Sequence, residues 1–192
     1  MKQVLFCLLA ISLLFIWACN GNVEPPKSTT TQPEPPKSTV APIVSAEWQK
    51  ITAKDITFEY KVEGANLSVK LTGPASGWLA VGFDPSDGMQ DANIIMGYVK
   101  DGQGFFRDDF GTGRGSHQPD TELGGVDNII DKSGKEENNI TELSFKIPLN
   151  SGDAKDKELE VGKTYEVMLA QGKADDFTSF HIFKTEVKVT IK

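Results

Sequence analysis

The sequence predicts an all-β fold, an antiparallel sandwich of about eight to ten strands, and three observations carry that expectation. Ile56, Phe58, Tyr60 and Val62 alternate with Thr57, Glu59, Lys61 and Glu63, the period of a strand with one buried face. Clusters of Gly, Asp, Asn and Pro separate short apolar runs, as tight turns require. No stretch of the chain repeats its apolar residues at the helical period.

The elements follow in order. Leu67, Val69 and Leu71 come directly after Gly64-Ala65-Asn66, the spacing of a hairpin that returns on the first strand. Trp78 to Phe83 and Ile94 to Val99 are apolar at successive positions, which predicts central strands covered on both faces or lying beside a bound apolar object. From about Asp108 to Asn128 the chain is dense in Gly and Asp, and a long irregular loop is expected there. Phe145, Ile147 and Leu149 resume the alternation, and Phe183, Val187, Val189 and Ile191 end the chain with it.

Ahead of this domain, placed at residues 45–192, the chain reads differently. Met1, Lys2 and Gln3 precede an unbroken apolar run from Val4 to Ala18, about the length of a signal-peptide core and short for a spanning helix. The run ends in Ile16-Trp17-Ala18-Cys19, which resembles a bacterial lipobox. On that reading residues 1–18 are a lipoprotein signal peptide and Cys19 carries a lipid. An ordinary secretory signal with an incidental cysteine is the alternative. Residues 19–44 hold Pro, Ser, Thr and Lys with little to bury, and Glu24-Pro25-Pro26-Lys27-Ser28-Thr29 recurs as Glu34-Pro35-Pro36-Lys37-Ser38-Thr39. Such a segment cannot offset its ordering entropy, and its prolines favour an extended stalk rising about 3 Å per residue. The expected location is the cell envelope, at the outer membrane or cell surface.

Composition narrows the function classes. The 192 residues carry a net charge of −7 with no basic run, which argues against nucleic acid as a partner. The two cysteines, Cys7 and Cys19, both lie at the amino terminus, so the domain has no internal disulfide, no thiolate metal cage and no covalent haem attachment. There is no His-Glu-x-x-His, no phosphate-binding loop with its Lys, and no Gly-x-Ser-x-Gly, so no nucleophile or acid–base pair stands out and the chain does not read as an enzyme. Gly111-Thr112-Gly113-Arg114-Gly115 follows no βαβ pattern and is a poor dinucleotide loop.

Two side chains invite a metal. His181 shares the parity of Phe183 and Val187, so with no bulge between them it points to the buried face, either as a core histidine with a partner or as a ligand. Met89 sits in the polar turn Asp87-Gly88-Met89-Gln90-Asp91, where packing explains it less well than in a strand, although burial under the sandwich end remains an alternative. Imidazole and thioether together suit haem iron, the soft sulfur favouring the ferrous state, and with both axial positions filled the chemistry is electron transfer.

Gly77-Trp78-Leu79-Ala80-Val81-Gly82-Phe83, followed by Gly88-Met89-Gln90-Asp91-Ala92-Asn93-Ile94-Ile95-Met96-Gly97-Tyr98-Val99, resembles the signature of the DOMON family. Asp108-Asp109-Phe110-Gly111-Thr112-Gly113, Pro119 to Gly125, and Phe145-Lys146-Ile147-Pro148-Leu149 are similar to its bacterial, haem-binding branch. The resemblance runs from about Glu47 to Lys192. It implies an immunoglobulin-like β-sandwich that binds b-type haem or, in other members, sugars. By similarity to haem-binding relatives such as the cytochrome domain of cellobiose dehydrogenase, the axial roles fall on Met89 and His181, with Trp78, Phe83, Ile94 and Met96 lining or supporting the pocket. A lysine replaces the histidine in the ethylbenzene dehydrogenase group, which keeps Lys173 as a competitor, and His117 in the expected loop is a weaker one.

The expected function is therefore a membrane-tethered b-type cytochrome domain that holds haem b non-covalently and exchanges electrons with a separate redox partner protein. The alternative is a non-redox module that recognises a carbohydrate or cell-envelope ligand through Phe105, Phe106, Phe110 and the Asp-rich loop. A calcium site using Asp108, Asp109, Asp120, Glu122 or Asp127 would be an addition to either. Haem carboxylates usually need donors or cations, which Arg107, Arg114 or Lys173 could supply, but ordinary surface roles are commoner and none of the three is assigned.

Overall fold

A computed structural model describes residues 47–192; the expected signal peptide, the expected stalk and Cys19 fall outside the described residues. Eleven strands form two antiparallel sheets, with one turn of 3₁₀ helix at Asp120–Leu123. The five-stranded sheet runs β1 (Gln49–Ala53), β2 (Ile56–Glu63), β3 (Asn66–Pro74), β9 (Ile140–Pro148) and β8 (Ile130–Glu137). The six-stranded sheet runs β11 (His181–Thr190), β10 (Thr164–Gly172), β4 (Leu79–Phe83), β5 (Asn93–Lys100), β6 (Gln103–Gly113) and β7 (Ser116–Pro119). Among the described residues no helix is long and apolar enough to cross a membrane.

The predicted alternation sets the inner face of the first sheet. Phe58 pairs with Leu71, which pairs with Leu143, and Tyr60, Val69 and Phe145 form the next row; all six are buried. Opposite them, Leu79, Val81 and Phe83 of β4, Ile95 and Val99 of β5, and Val167 and Leu169 of β10 close the core. Phe58 stacks on Tyr60 with ring centroids 5.1 Å apart and meets Phe83 edge-on at 6.3 Å. The buried Tyr60 hydroxyl donates to Thr190 O at 2.8 Å, so its polar tip is satisfied at the end of β11.

The sheet edges are short or charged. β8 presents Lys132, Lys135, Glu136 and Glu137 to solvent, β11 presents Lys184, Glu186 and Lys188, and β7 has 4 residues. Charged edge strands resist pairing with another chain.

The expected long loop is mostly ordered structure. β6 runs on through Asp108, Asp109 and Phe110 to Gly113, a hairpin returns as β7, and the 3₁₀ turn follows at once. Its glycines and aspartates concealed a strand because what β6 buries there is carboxylate rather than hydrocarbon. Phe58→Ala, which empties the centre of the core, is expected to destabilise the protein by about 3–5 kcal/mol, read as a lowered urea midpoint with an unchanged slope.

Candidate functional site

The six-stranded sheet is apolar on both faces, as the two continuous apolar runs predicted. Its inner face joins the core; its outer face carries Trp78, Ala80, Ile94 and Met96, all buried, with Met89, Met168, Ala170 and Phe177 packed against them. Register explains the flat floor: Ala170 pairs with Ala80 and Ala80 with Met96, while Met168 pairs with Gly82 and Gly82 with Ile94. The small residues of β4 leave room above the sheet. A cavity of about 610 Å³ lies there, within the range of about 300–1,000 Å³ that small-molecule and cofactor sites occupy.

One wall is the Met89 turn. Gln90 N donates to Asp87 O at 3.1 Å and Ser86 Oγ to Asp91 Oδ2 at 2.6 Å, closing residues 86–91 on themselves. The turn rests on the β6–β7 hairpin, where Met89 N donates to Arg114 O at 3.1 Å and Asp91 N to Gly111 O at 2.9 Å. Gly111 is obligatory for this approach, because a Cβ there would overlap the Met89 carbonyl oxygen. The glycine-rich segment thus seats a methionine.

The other wall is the connection from β10 to β11, held by Trp78. The indole lies flat on Gly172, where a Cβ would overlap Nε1. Nε1 donates to Ser179 O and Oγ, both at 3.1 Å, and the backbone closes the contact through Gly172 N to Trp78 O at 2.7 Å. Phe177, Thr178, Ser179 and Phe180 then line the cavity. Phe180 is 83% exposed at its mouth, an apolar surface without a cover.

His181 does not point to the core. Gly172 pairs with His181 but Gln171 pairs with Phe183, so Ile182 is an extra residue in the ladder. This bulge reverses the parity of everything before it: Phe183 packs on the core, and His181 emerges on the outer face, exposed and lining the same cavity as Met89. The unbulged parity expected from the sequence is corrected here.

His117 is better placed than a loop position suggested. It lies on β7, lines the cavity, and its Nδ1 is 2.5 Å from Asp109 Oδ2. Asp109 has no exposed surface and also takes Arg107 Nε and Nη2, both at 2.6 Å. Arg107 in turn lies over the Phe177 ring at 4.7 Å and reaches Met96 Sδ at 3.8 Å. A buried carboxylate held between two cationic or ring-nitrogen partners is thus built under the cavity wall. Sequence reasoning missed this chain because its members pair only once β6 and β7 fold back.

Of the other predicted site residues, Trp78, Ile94 and Met96 line the cavity and Phe83 does not, because β4 alternation turns Phe83 to the inner core against Phe58. Arg114 lines the cavity and pairs with Asp87 at 2.7 Å, whereas Lys173 is exposed and outside it; Lys184 and Glu186 of β11 complete the rim. Phe105, Phe106 and Phe110 share no platform: Phe105 stacks on Tyr98 at 5.0 Å, Phe106 meets Phe145 at the core, and Phe110 lies under Lys155.

The model of the DOMON domain matches residues 52–172, more than half of the chain. The chain belongs to the DOMON family. His181 lies beyond the matched segment of this DOMON domain, while Trp78, Met89 and His117 lie within it. Among solved structures it is similar to the cytochrome b domain of pyranose dehydrogenase from Coprinopsis cinerea, at 16% identity and a TM-score of 0.55, covering 77% of this chain and 83% of that one. It is also similar to the cytochrome domain of cellobiose dehydrogenase from Myriococcum thermophilum, at 11% identity and a TM-score of 0.55, covering 76% and 82%. These likenesses establish the shared sandwich. No curated protein matches the sequence.

The donor set and the shape of the DOMON cavity fit a haem. A thioether from the 86–91 turn and an imidazole from the start of β11 face one apolar cavity whose floor is flat and whose mouth leaves Phe180 uncovered. Sulfur and imidazole are iron ligands, and the domain offers no thiolate.

A second cluster occupies the inner face at one end of the sandwich. Asp108 and Asp109, adjacent in β6, point to opposite faces: Asp109 outward, beneath the cavity wall, and Asp108 inward, where Asp120 and Asp156 meet it. Burial pushes the Asp108 carboxyl up to about 8 and Asp120 up to about 7, each reinforced by the neighbouring Asp156, which burial also raises. Of the acidic residues expected at a cation site, only Asp108 and Asp120 meet; Glu122 is exposed, and Asp127 binds Ile129 N and Lys132. Carboxyls that hold protons more tightly when folded contribute stability that is complete below the unfolded value near 3.8 and is lost as pH rises through 7 to 8. Asp108→Asn keeps the acceptor for Asn128 N and removes the titration. In chelator, its melting temperature is expected to fall less than that of the wild type between about pH 5 and about pH 8.

Proposed function

We propose that this DOMON domain binds one haem b non-covalently, with Met89 and His181 as axial ligands, and acts as an electron-transfer module rather than an enzyme. The observation that supports it is that both side chains line one and the same apolar cavity, reached by His181 through the Ile182 bulge. The cytochrome domains whose fold it shares point the same way. When bound, the haem would supply a reversible one-electron iron couple, and the soft thioether of Met89 would favour its ferrous state. The chain's own part is to exclude water over the floor of Ala80, Gly82, Ile94, Met96 and Ala170, and to hold the two donors on separately braced walls. Lys184 and Arg114 are the cations at the rim for the haem carboxylates.

The open mouth beside the exposed Phe180 is where a separate redox partner would approach a bound haem. The amino-terminal sequence supports tethering at the cell envelope through a lipid on Cys19, with the stalk holding the domain off the membrane. Replacing Cys19 by Ser is expected to move the protein from the membrane fraction to the soluble one.

A second ligand assignment rests on one specific observation. Histidines that bind metals commonly give their other ring nitrogen to a carboxylate, and of the two histidines in the cavity His117 has that partner in Asp109. Visible spectra of full-length protein titrated with haemin separate the two. The wild type is expected to show a narrow α band on reduction, lost in Met89→Ala and His181→Ala and kept in His117→Ala. The reverse pattern for the two histidines would transfer the axial role to His117. A colourless, folded wild type would overturn the cytochrome reading and leave a carbohydrate as the ligand class.

A further inference from the structure

We propose that Asp108, Asp120 and Asp156, together with the side-chain carbonyl of Asn93, form a calcium site at the inner end of the sandwich, on the opposite face of β6 from the haem cavity. One carboxylate oxygen from each aspartate lies within 4.8 Å of the others. Ligands at about 2.3–2.6 Å around one calcium stand up to about 5 Å apart when opposite, so the three oxygens fit a single coordination sphere.

The oxygens left without partners carry the argument beyond a group of acidic residues. Asp120 has no exposed surface, and neither of its carboxylate oxygens has a hydrogen-bond partner. Asp108 is 4% exposed; its Oδ2 accepts from Asn128 N at 2.9 Å, while Oδ1 has no partner. Asn93, on the neighbouring strand and 3% exposed, donates Nδ2 to Asp156 Oδ1 at 2.8 Å, and the carbonyl oxygen of that same amide is buried without a donor. Four buried acceptor atoms on three residues therefore lack any hydrogen, and the Asn93 carbonyl is not itself acidic. Leaving such groups unpaired is costly, and a cation among the three carboxylates would give the orphaned oxygens that face it a partner.

The chemistry selects the ion. Every donor is an oxygen, three of them from carboxylates, with no imidazole or thiolate, which suits a hard divalent cation and not zinc or copper. Asp108 and Asn93 come from adjacent strands, Asp120 from the 3₁₀ turn, and Asp156 from the connection between β9 and β10, where Asn128 Nδ2 steadies it at 2.8 Å. Irregular backbone of this kind matches the flexible sphere of calcium better than the strict octahedron of magnesium. The ion would fasten the 3₁₀ turn and the β9–β10 connection to the central sheet, on the opposite face of β6 from Asp109.

The test uses full-length protein stripped with chelator and needs no haem, so it is independent of the cytochrome reading. Titration with calcium chloride is expected to show one ion bound per chain and a raised melting temperature, with a smaller response to magnesium. Asp120→Asn is expected to weaken calcium binding by roughly 100-fold or more, while Glu122→Gln, at an exposed neighbour, binds as the wild type does. If the wild type neither binds calcium nor shifts its melting temperature at millimolar concentration, the cluster is instead a set of carboxyls sharing protons and the proposal fails. Unaltered binding in folded Asp120→Asn overturns it equally, and the wild-type stoichiometry decides the matter should that variant not fold.

Discussion

The structure depends on a central sheet that is apolar on both faces. Strands β4 and β5 offer residues of alternate parity to two different environments, and neither set can be left to water without a large loss of hydrophobic free energy. The inner set is covered by the five-stranded sheet. The outer set is covered by a turn, a hairpin and the β10–β11 connection, which form a rim but do not fill the space above Ala80 and Gly82. Small residues on the floor and large ones at the edges are what turn a covered sheet into a cavity.

Each wall is braced by a close contact rather than by a long element. Gly111 lets the Met89 carbonyl press on the hairpin, and Gly172 lets the Trp78 indole lie on β10 while its Nε1 holds Ser179. Donor positions therefore depend on backbone approach distances, which side-chain packing on flexible loops would set less sharply. The Gly-Trp pair at the head of β4 thus acts on the far wall, 101 residues along the chain at Ser179, through one indole hydrogen-bond donor.

Two consecutive aspartates divide the rest of the polar chemistry. In a strand, neighbours face opposite ways, so Asp108 and Asp109 serve different interiors. Asp109 is fully paired by Arg107 and His117. Burial, reinforced by the neighbouring carboxylates, pushes the Asp108 carboxyl up, and its orphaned oxygen is what makes the inner cluster suit a cation. Placed on strand β6, both residues couple the cavity wall to the end of the core.

Local pattern determined most of the architecture. Period-two alternation located β2, β3, β9 and β11, the two continuous apolar runs identified the doubly covered strands, and the turn around Met89 was legible because a methionine stood alone among polar residues. Composition alone also set apart the apolar run from Val4 to Ala18 and the Pro-rich segment that follows it. What only the tertiary structure decided depends on register and on distant pairing: the extra Ile182 that turns His181 outward, the Asp109–His117 contact across a hairpin, the inward turn of Phe83, and the meeting of Asp156 and Asn93 with Asp108 and Asp120. Periodicity is a local property that each strand writes in its own residues, but a one-residue bulge reverses a face without changing composition, and buried polar groups find partners only after the sheets have packed.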